Sequence, residues 1–477
     1  LEPLAERRPE SFVAGGPLVI CGGVATFMNP EPLAPFVDLF ALGEGEILIP
    51  ELLEVLLHCD GRREQVLWEM NRNHRGFYAP RFYLPLYDDQ SHLSSLQPHS
   101  GLPPRIARTY LRETATAGHS ELMTGQTEFA DLYLAELGRG CSRGCRFCTA
   151  GFIYRPPRLW DTTAVLRSLR ERPDGIERVG LLGMEMTDSA TLQAVAGYLS
   201  EVGCALSFSS LRADRISDEI IALLAGSKLK SVAIAPDGAS QRLRRVINKG
   251  LSEADLVSAA RRLAAAGLTK LKLYLMIGLP TETEDDLDEF VGLLDKIQAQ
   301  ILPIGRERGR LCELQVSVNC FVPKPWTPFQ YHPFGSSSQL APGRTISGSA
   351  AIGLFREKIS LLKRAVAGRA NLRISFDAPD QALFQAILAR ADRRVAAVLL
   401  TMAGSGISWR RAMKMHGLTE ELYATRQYGP DSLLPWQVVD QGIDDSYLWG
   451  EYCRAFAAKA TVPCDTRRCR RCGVCHE

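Results

Sequence analysis

Asp131-Leu-Tyr-Leu-Ala-Glu-Leu137-Gly-Arg-Gly140-Cys141-Ser-Arg-Gly144-Cys145-Arg-Phe147-Cys148 is the stretch on which the reading of this chain turns. Its first half, Asp131–Leu137, is mostly apolar and reads as a buried strand. Its second half places three thiols within eight residues, separated by three and then two residues. Thiolates so spaced wrap one corner of a cubane iron–sulfur cluster and hold three of its four irons, leaving one iron open to chemistry. Gly140 and Gly144 supply the backbone freedom that such a tight loop needs. The plain alternative is a zinc knuckle short of its fourth ligand, but knuckles sit between short hairpins rather than at the end of a strand.

Working outward, the same strand–loop–helix pattern repeats downstream. Strand-like runs fall at 179–182, 205–209, 231–235, 270–276 and 313–319, with helix-like runs at 162–172, 189–202, 218–225, 252–266 and 283–298 between them. Strands alternating with helices predict a parallel sheet, and six such strands predict an open, partial (β/α)6 barrel over 127–343. In such barrels the C-terminal ends of the strands carry the chemistry. Upstream, Pro17–Cys21 and Leu39–Leu42 read as parallel strands, with a helix over 47–57; residues 1–60 then form part of a doubly wound α/β domain. Residues 61–126 read as an irregular connector with one or two hairpins. Residues 344–463 read as a small α+β domain with helices near 350–367, 382–389 and 395–403 and a strand at 371–376, and residues 464–477 as a cysteine-rich, metal-binding tail.

The chain has 477 residues and 13 cysteines, with 56 Lys and Arg against 54 Asp and Glu. That near-balance argues against a histone-like nucleic-acid binder, and the apolar runs are too short to cross a bilayer. Without a secretory pattern at its start, and opening on Leu1 as a chain that begins downstream of its gene's own start, the protein is expected in the cytoplasm. There clustered thiols mean metal rather than disulfides. Six scattered cysteines (Cys21, Cys59, Cys204, Cys312, Cys320 and Cys453) read as small core residues. Cys464, Cys469, Cys472 and Cys475 close the chain; their short spacers suit a second iron–sulfur cluster that relays electrons or holds substrate, with zinc or thiol redox as alternatives. Arg467, Arg468, Arg470 and Arg471 interleave with them and read as charge compensation, with a phosphate-bearing substrate such as RNA as the sharper alternative. None of the eight histidines pairs at metal-ligand spacing with a carboxylate. Tyr154 and Trp326 read as packing residues at the barrel rim.

The triplet, with Phe147 before its last cysteine, resembles the radical S-adenosylmethionine (SAM) superfamily. The resemblance implies a [4Fe–4S] cluster on Cys141, Cys145 and Cys148, SAM bound at its free iron, and a one-electron donor of flavodoxin or ferredoxin type. It also implies SAM contacts by position. Gly183-Met184-Glu185 matches the turn that meets the amino group, and Ser210 and Arg212 match residues that meet ribose and carboxylate. Asp237 and Ser240 match the ribose-side segment, Arg245 and Lys249 a carboxylate or phosphate contact, and Gly278-Leu279-Pro280 the adenine-binding turn. The upstream segments Gly22-Gly23 and Gly43-Glu44-Gly45-Glu46 resemble the second half of the cobalamin-binding domain of cobalamin-dependent radical SAM proteins. Tyr154-Arg-Pro-Pro157, Phe321-Val-Pro-Lys-Pro-Trp326 and the tail resemble one poorly characterised bacterial subfamily of that group. Cobalamin-dependent methyl transfer to an unactivated carbon, with a small molecule or RNA as substrate and no membrane, is the expectation. A cobalamin-free oxidoreductase or sulfur-handling enzyme, and a non-catalytic redox sensor or RNA-associated module, are the alternatives. No Asp-x-His-x-x-Gly motif supplies a lower cobalt ligand.

Overall fold

The computed structural model describes residues 17–59, 62–127, 129–130, 132–183, 189–207, 210–227 and 229–475. Near the start, β1 (Ile20–Gly22) and β2 (Leu39–Ala41) pair in parallel, and β3 (Phe77–Tyr78) adds an antiparallel edge. A short helix, Val24–Met28, and a 3-10 turn, Glu31–Phe36, make the crossover, and α1 (Gly45–His58) follows β2. The connector holds one hairpin, Tyr83–Tyr87 with Leu93–Pro98, and also a helix, α2 (Arg63–Asn73), which the sequence reading leaves irregular. Its apolar stripe is only Val66, Leu67 and Met70, set among charged and amide residues, so the periodic signal is short even though all three are buried.

The central sheet is wholly parallel. β4 (Tyr133–Glu136), β5 (Arg178–Leu182) and β6 (Ala205–Ser207) pair in chain order. β7 (Ser231–Asp237), β8 (Lys270–Ile277), β9 (Glu313–Cys320) and β10 (Leu372–Phe376) form the second segment. A single parallel bridge between Leu211 and Ile234 joins the two, and among the described residues β10 does not pair back onto β4, so the barrel stays open. β10 corrects the strand count. The strand read at 371–376 lies within the stretch assigned to the small C-terminal domain, yet it pairs in parallel with β9, Leu314 opposite Leu372, as a seventh strand. The long irregular run from Phe321 to Gly343 hides that continuation by interrupting the strand–helix rhythm.

After β4 to β6 come the outer helices α3 (Thr162–Arg170), α4 (Ser189–Glu201) and α5 (Asp218–Gly226), and α6 (Gln241–Val246) follows β7. Local rules account for them. α7 (Glu253–Ala265) starts on a capping box between Ser252 and Asp255 and buries Leu256, Ala259, Ala260 and Leu263 at helical spacing. α8 (Glu284–Glu307) carries its apolar face past residue 298, the limit expected from sequence. In β8, Leu271, Leu273, Leu275 and Ile277 alternate into the core, as Leu314, Val316, Val318 and Cys320 do in β9. α9 (Gly348–Val366) covers the β9–β10 crossover; α10 (Pro379–Arg390), α11 (Val395–Ser405) and α12 (Asp445–Phe456) follow. Of the six scattered cysteines, Cys204, Cys312 and Cys320 are buried as core residues. Cys21 and Cys59 are half-buried and Cys453 is exposed, which corrects the core reading for those three. Trp326 is fully buried, and Tyr154 sets its ring edge-on to Phe27 at 5.7 Å, so both act in packing. Among the described residues no helix is long and apolar enough to cross a membrane.

Candidate functional site

The cysteine triplet leaves the C-terminal end of β4 through Gly138–Arg139 and Gly140. Gly140 (φ 87°) and Gly144 (φ 67°) both adopt the left-handed backbone that the short spacers require. A Cβ on Gly140 would stand 2.7 Å from the Tyr154 carbonyl, so the loop packs tightly on the segment that follows it. Two side chains brace the loop from within the protein. Arg146 is fully buried and its guanidinium binds Glu451 (3.0 Å) on α12, the Val246 carbonyl (2.8 Å) and the Lys459 carbonyl (2.6 Å). Asn248 donates to the carbonyls of Arg143 and Gly144, each at 3.2 Å, and to that of Thr461 at 3.1 Å. Burial pushes the Cys145 thiol up to about 12, against the pull of the Lys249 ammonium. A bare thiolate is disfavoured there, whereas a metal cation would replace the proton and restore neutrality.

The loop opens onto a cavity of about 280 Å³ over the ends of β4 to β7. All three triplet cysteines, Phe147, Gly183, Ser210, Arg212 and Lys249 line it, so the structure brings these sequence candidates together. It adds two that the sequence reading passed over, Arg143 inside the triplet and Arg215 three residues beyond Arg212. Arg143, Arg212, Arg215 and Lys249 therefore give the cavity a cationic wall beside the thiols. Asp214 lies 2.7 Å from Arg212 and 3.8 Å from Arg143 and partly balances it. Asp237 does not line the cavity; its carboxylate is paired with the Lys249 ammonium. Burial raises the Asp237 carboxyl, while that carboxylate holds Lys249 charged against its own burial.

Other candidates lie outside the lining of that cavity. Ser240 caps α6 (Gln241–Val246), accepting from Leu243 N–H at 3.0 Å and donating to Asp286, so its hydroxyl is spent away from the cavity. Arg245 is exposed and outside the lining. Gly278 (φ 80°) is needed because a Cβ there would meet the Phe355 ring at 2.4 Å, and its N–H donates to buried Glu282 at 2.8 Å. Leu279 is fully buried, and Gly278, Leu279 and Pro280 all lie outside the cavity lining. Met184 and Glu185 lie outside the described residues; Gly183 (φ 80°) packs on the Gly138 carbonyl, where a Cβ would stand 2.4 Å away.

The tail returns to the triplet without lining the cavity. Cys464 N–H donates to the Ser142 carbonyl at 2.6 Å, and Thr461 N–H to Asn248 Oδ1 at 2.9 Å. Cys464 has Cys469 and Cys472 among the groups acting on it, and Cys475 has Cys472 and Cys469. Burial raises Cys464 to about 11, helped by Cys469, and burial also raises Cys475, with Cys472 beside it. Burial acts on Cys469 too, but the Arg471 guanidinium, 3.3 Å from its sulfur, holds that thiol below its usual value. Cys472 is buried and hydrogen-bonds to Arg155. Among the described residues no three His, Cys, Asp or Glu side chains converge on the position of a single ion; a cubane makes no such demand, since each thiolate holds a different iron.

Residues 135–294 match the family described as the Radical SAM superfamily. The chain carries a radical SAM domain. Residues 1–93 match the family described as Radical SAM proteins, N-terminal. An uncharacterized protein of Methanocaldococcus jannaschii is 28% identical over 404 residues, 84% of this chain and 75% of its own length. Among solved structures, the radical SAM methyltransferase TsrM from Kitasatospora setae shares 13% identity at a TM-score of 0.47, over 83% of this chain and 80% of that one. The cobalamin-dependent SAM radical enzyme OxsB shares 16% identity at a TM-score of 0.40; the match covers 58% of this chain and only 39% of OxsB.

The unit ahead of the radical SAM domain leaves one of its two glycine turns open and closes the other. Gly23 (φ 93°) follows β1, with nothing within 4 Å of a Cβ built there, and Gly22 beside it meets only Ala41 at 3.6 Å. The Gly43 turn is closed. A Cβ on Gly43 would stand 2.1 Å from the Thr109 carbonyl, because the connector crosses that point and bridges to it, and Gly45 opens α1 against Ile49. The Glu44 and Glu46 side chains instead clasp the radical SAM domain. Glu44 binds Arg158 (2.6 Å) and Arg139 (3.1 Å) in a buried cluster, and Glu46 binds Arg139 (2.6 Å). Arginine holds Glu44 below the usual carboxylate range against the opposing effect of burial. The glycines that resemble a corrin cradle at 43 and 45 thus serve an interdomain joint two residues from Cys141.

Proposed function

We propose that this chain reductively cleaves SAM to methionine and a 5′-deoxyadenosyl radical and uses that chemistry for methyl transfer to an unactivated carbon, with cobalamin as the methyl carrier. The observation that carries the radical reading is the three-thiol loop at the end of β4, opening on a cavity with a cationic wall. A [4Fe–4S] cluster on Cys141, Cys145 and Cys148 would offer one free iron to the amino and carboxylate groups of SAM and the electron that breaks its sulfonium C–S bond. Arg143, Arg212, Arg215 and Lys249 supply the positive charge to hold a carboxylate in place. Phe147, half-buried on the cavity side of the loop, excludes water from the reacting centre. Asp237 keeps Lys249 charged and aimed, and Arg146 and Asn248 keep the loop from shifting.

Methyl transfer rests on the N-terminal unit, where the open Gly22–Gly23 turn follows a parallel strand, the position at which doubly wound sheets bind ligands. The closed Gly43 turn speaks against a full corrin cradle. A second reading, a cobalamin-free oxidoreductase or sulfur-handling enzyme, is favoured by the four neighbouring tail thiols, which we assign to a second iron–sulfur cluster. Anaerobic turnover with SAM and reductant tests both. S-adenosylhomocysteine together with 5′-deoxyadenosine supports methyl transfer; 5′-deoxyadenosine alone moves the assignment to the second reading. Neither product would mean that the domain no longer turns over.

A further inference from the structure

The geometry points to a second binding site, a cavity that takes a small oxyanion, phosphate or carboxylate, on the guanidinium of Arg426. The cavity measures about 180 Å³ and shares no lining residue with the one at the triplet. Stretches remote in sequence wall it: Asp88 and His92 at the tip of the connector hairpin, Asp392 and Arg394 between α10 and α11, and Arg426 and Ser432 beyond them. It is smaller than the roughly 300–1,000 Å³ pockets of drug-sized ligands, so it suits an ion or a compact charged group.

The charges of the wall decide which sign it takes. Asp392 and Arg394 satisfy one another, for Asp392 accepts from Arg394 Nη2 (2.6 Å) and Nε (3.0 Å) and from the Tyr423 hydroxyl (3.1 Å). Asp88 is spent on the hairpin tip, where it accepts the backbone N–H groups of Gln90 (2.9 Å) and His92 (2.8 Å) and faces His92 Nδ1 at 3.3 Å. Arg426 is left over. Among the described residues its guanidinium makes no hydrogen bond and no ion pair, and its Nε is buried without a partner. The Tyr428 ring, 5.5 Å away, covers one face of the guanidinium but offers its N–H groups nothing to bond. Burial, and after it Arg426, holds His92 below its usual value against the pull of Asp88, so the uncompensated charge is felt across the cavity.

A buried donor without an acceptor forfeits its hydration and gains nothing in return. Water would satisfy the donor but leave the charge unbalanced. An oxyanion does both, because two of its oxygens match the parallel N–H groups of a guanidinium. Ser432 adds a further donor: its hydroxyl oxygen already accepts from Gly429 N–H at 2.9 Å, which leaves the hydroxyl proton to give. Since the hairpin tip forms one wall, an occupied cavity holds the connector against the C-terminal part of the chain.

Hydrogen exchange of the anaerobically reconstituted full chain, followed by mass spectrometry, tests this in sodium phosphate, in sodium succinate and in sodium chloride of equal ionic strength. Phosphate or succinate should slow exchange saturably in peptides spanning 88–98 and 422–435, and chloride should not. At about ten times the half-saturating concentration the slowing should reach about tenfold, the factor by which a ligand suppresses an opening that releases it. Protection by phosphate alone names a phosphate ligand, and protection by succinate alone a carboxylate. Oxyanions taken up on the cationic wall of the triplet's cavity register instead in peptides spanning 141–148 and 210–215, so the two sites are read separately. Arg426→Gln should abolish protection at 88–98 and 422–435 and leave any response at 141–148 in place. Arg426→Lys, which keeps the charge but not the paired donors, should bind severalfold more weakly. Exchange at 88–98 and 422–435 that ignores both anions in the wild type overturns the site, whatever the stability of the variants. Protection that persists in Arg426→Gln overturns the role given to that guanidinium.

Discussion

The two cysteine loops use similar spacings in opposite settings. The triplet, Cys141 to Cys148, sits at the end of a strand of the central sheet and opens into a cavity walled by arginine and lysine. The quartet, Cys464 to Cys475, has no regular element beneath it and keeps clear of that cavity. It is held to the rest of the protein through the Cys464–Ser142 and Asp444–Cys472 backbone contacts, through Arg155 at Cys472, and by packing of Cys472 and Val474 against the core. The triplet therefore has what chemistry needs, an open coordination position facing an enclosed space. The quartet, with four thiols and no cavity, has what electron storage or structural closure needs. Spacing alone does not separate those two roles; the surface each loop faces does.

Breaking the front loop should have the largest effect. Cys145→Ala removes the buried ligand of the triplet, and the reconstituted variant should lose about four irons and all 5′-deoxyadenosine formation. Any retained SAM cleavage would refute the assignment of that loop. Truncation before Cys464 should halve the iron, from about eight to about four per chain, and leave the front cluster's spectrum in place. Loss of one zinc with no loss of iron would make the tail a clip. Arg146→Met strips the buried partner from Glu451 and should cost about 3–5 kcal/mol, read as a lower denaturation midpoint. The wild-type midpoint in that variant would mean that the tail and loop are not mechanically joined.

The smallest expected effect is acid sensitivity beside α12. Burial holds His332 down at about 4, from 6.5; its Nε2–H donates to the Ser336 carbonyl at 2.8 Å, and its Nδ1 accepts from Tyr452, next to Glu451 on α12. Because the folded value is depressed, the stability it confers is complete above pH 6.5 and drains away as pH falls toward 4, to a total of about 3 kcal/mol. His332→Gln should flatten that slope in thermal unfolding between pH 7 and pH 5. An unchanged slope would place the acid response elsewhere.

Much of the central sheet was legible because its signals are local. Alternation in β8 and β9, the Ser252 cap and the thiol spacing each lie within a dozen residues. The same holds for the cavity residues Phe147, Gly183, Ser210, Arg212 and Lys249, which follow strand ends. What escaped depends on neighbours that no local pattern announces. Arg146 reads as an ordinary surface charge until Glu451 and Lys459 close around it, and Glu44 reads as part of a glycine turn until Arg158 arrives. Ser240 has the right spacing for a ligand contact, but the start of α6 claims its hydroxyl. Gly43 carries the bare backbone of a corrin site, and Thr109 fills it.

The dependence of the triplet on Thr461 bears on how the protein is made. The carbonyls of Arg143 and Gly144 are held by an asparagine whose own amide is shared with residue 461, and Arg146 finds its carbonyl partner at residue 459. The Lys459 partner is synthesised 313 residues after Arg146, and Thr461 follows Asn248 by 213. The front loop thus completes its bracing only once the chain has been made well beyond the barrel. Any machinery that inserts iron into the braced loop must act after that stretch has emerged, not on the barrel's first strands as they leave the ribosome.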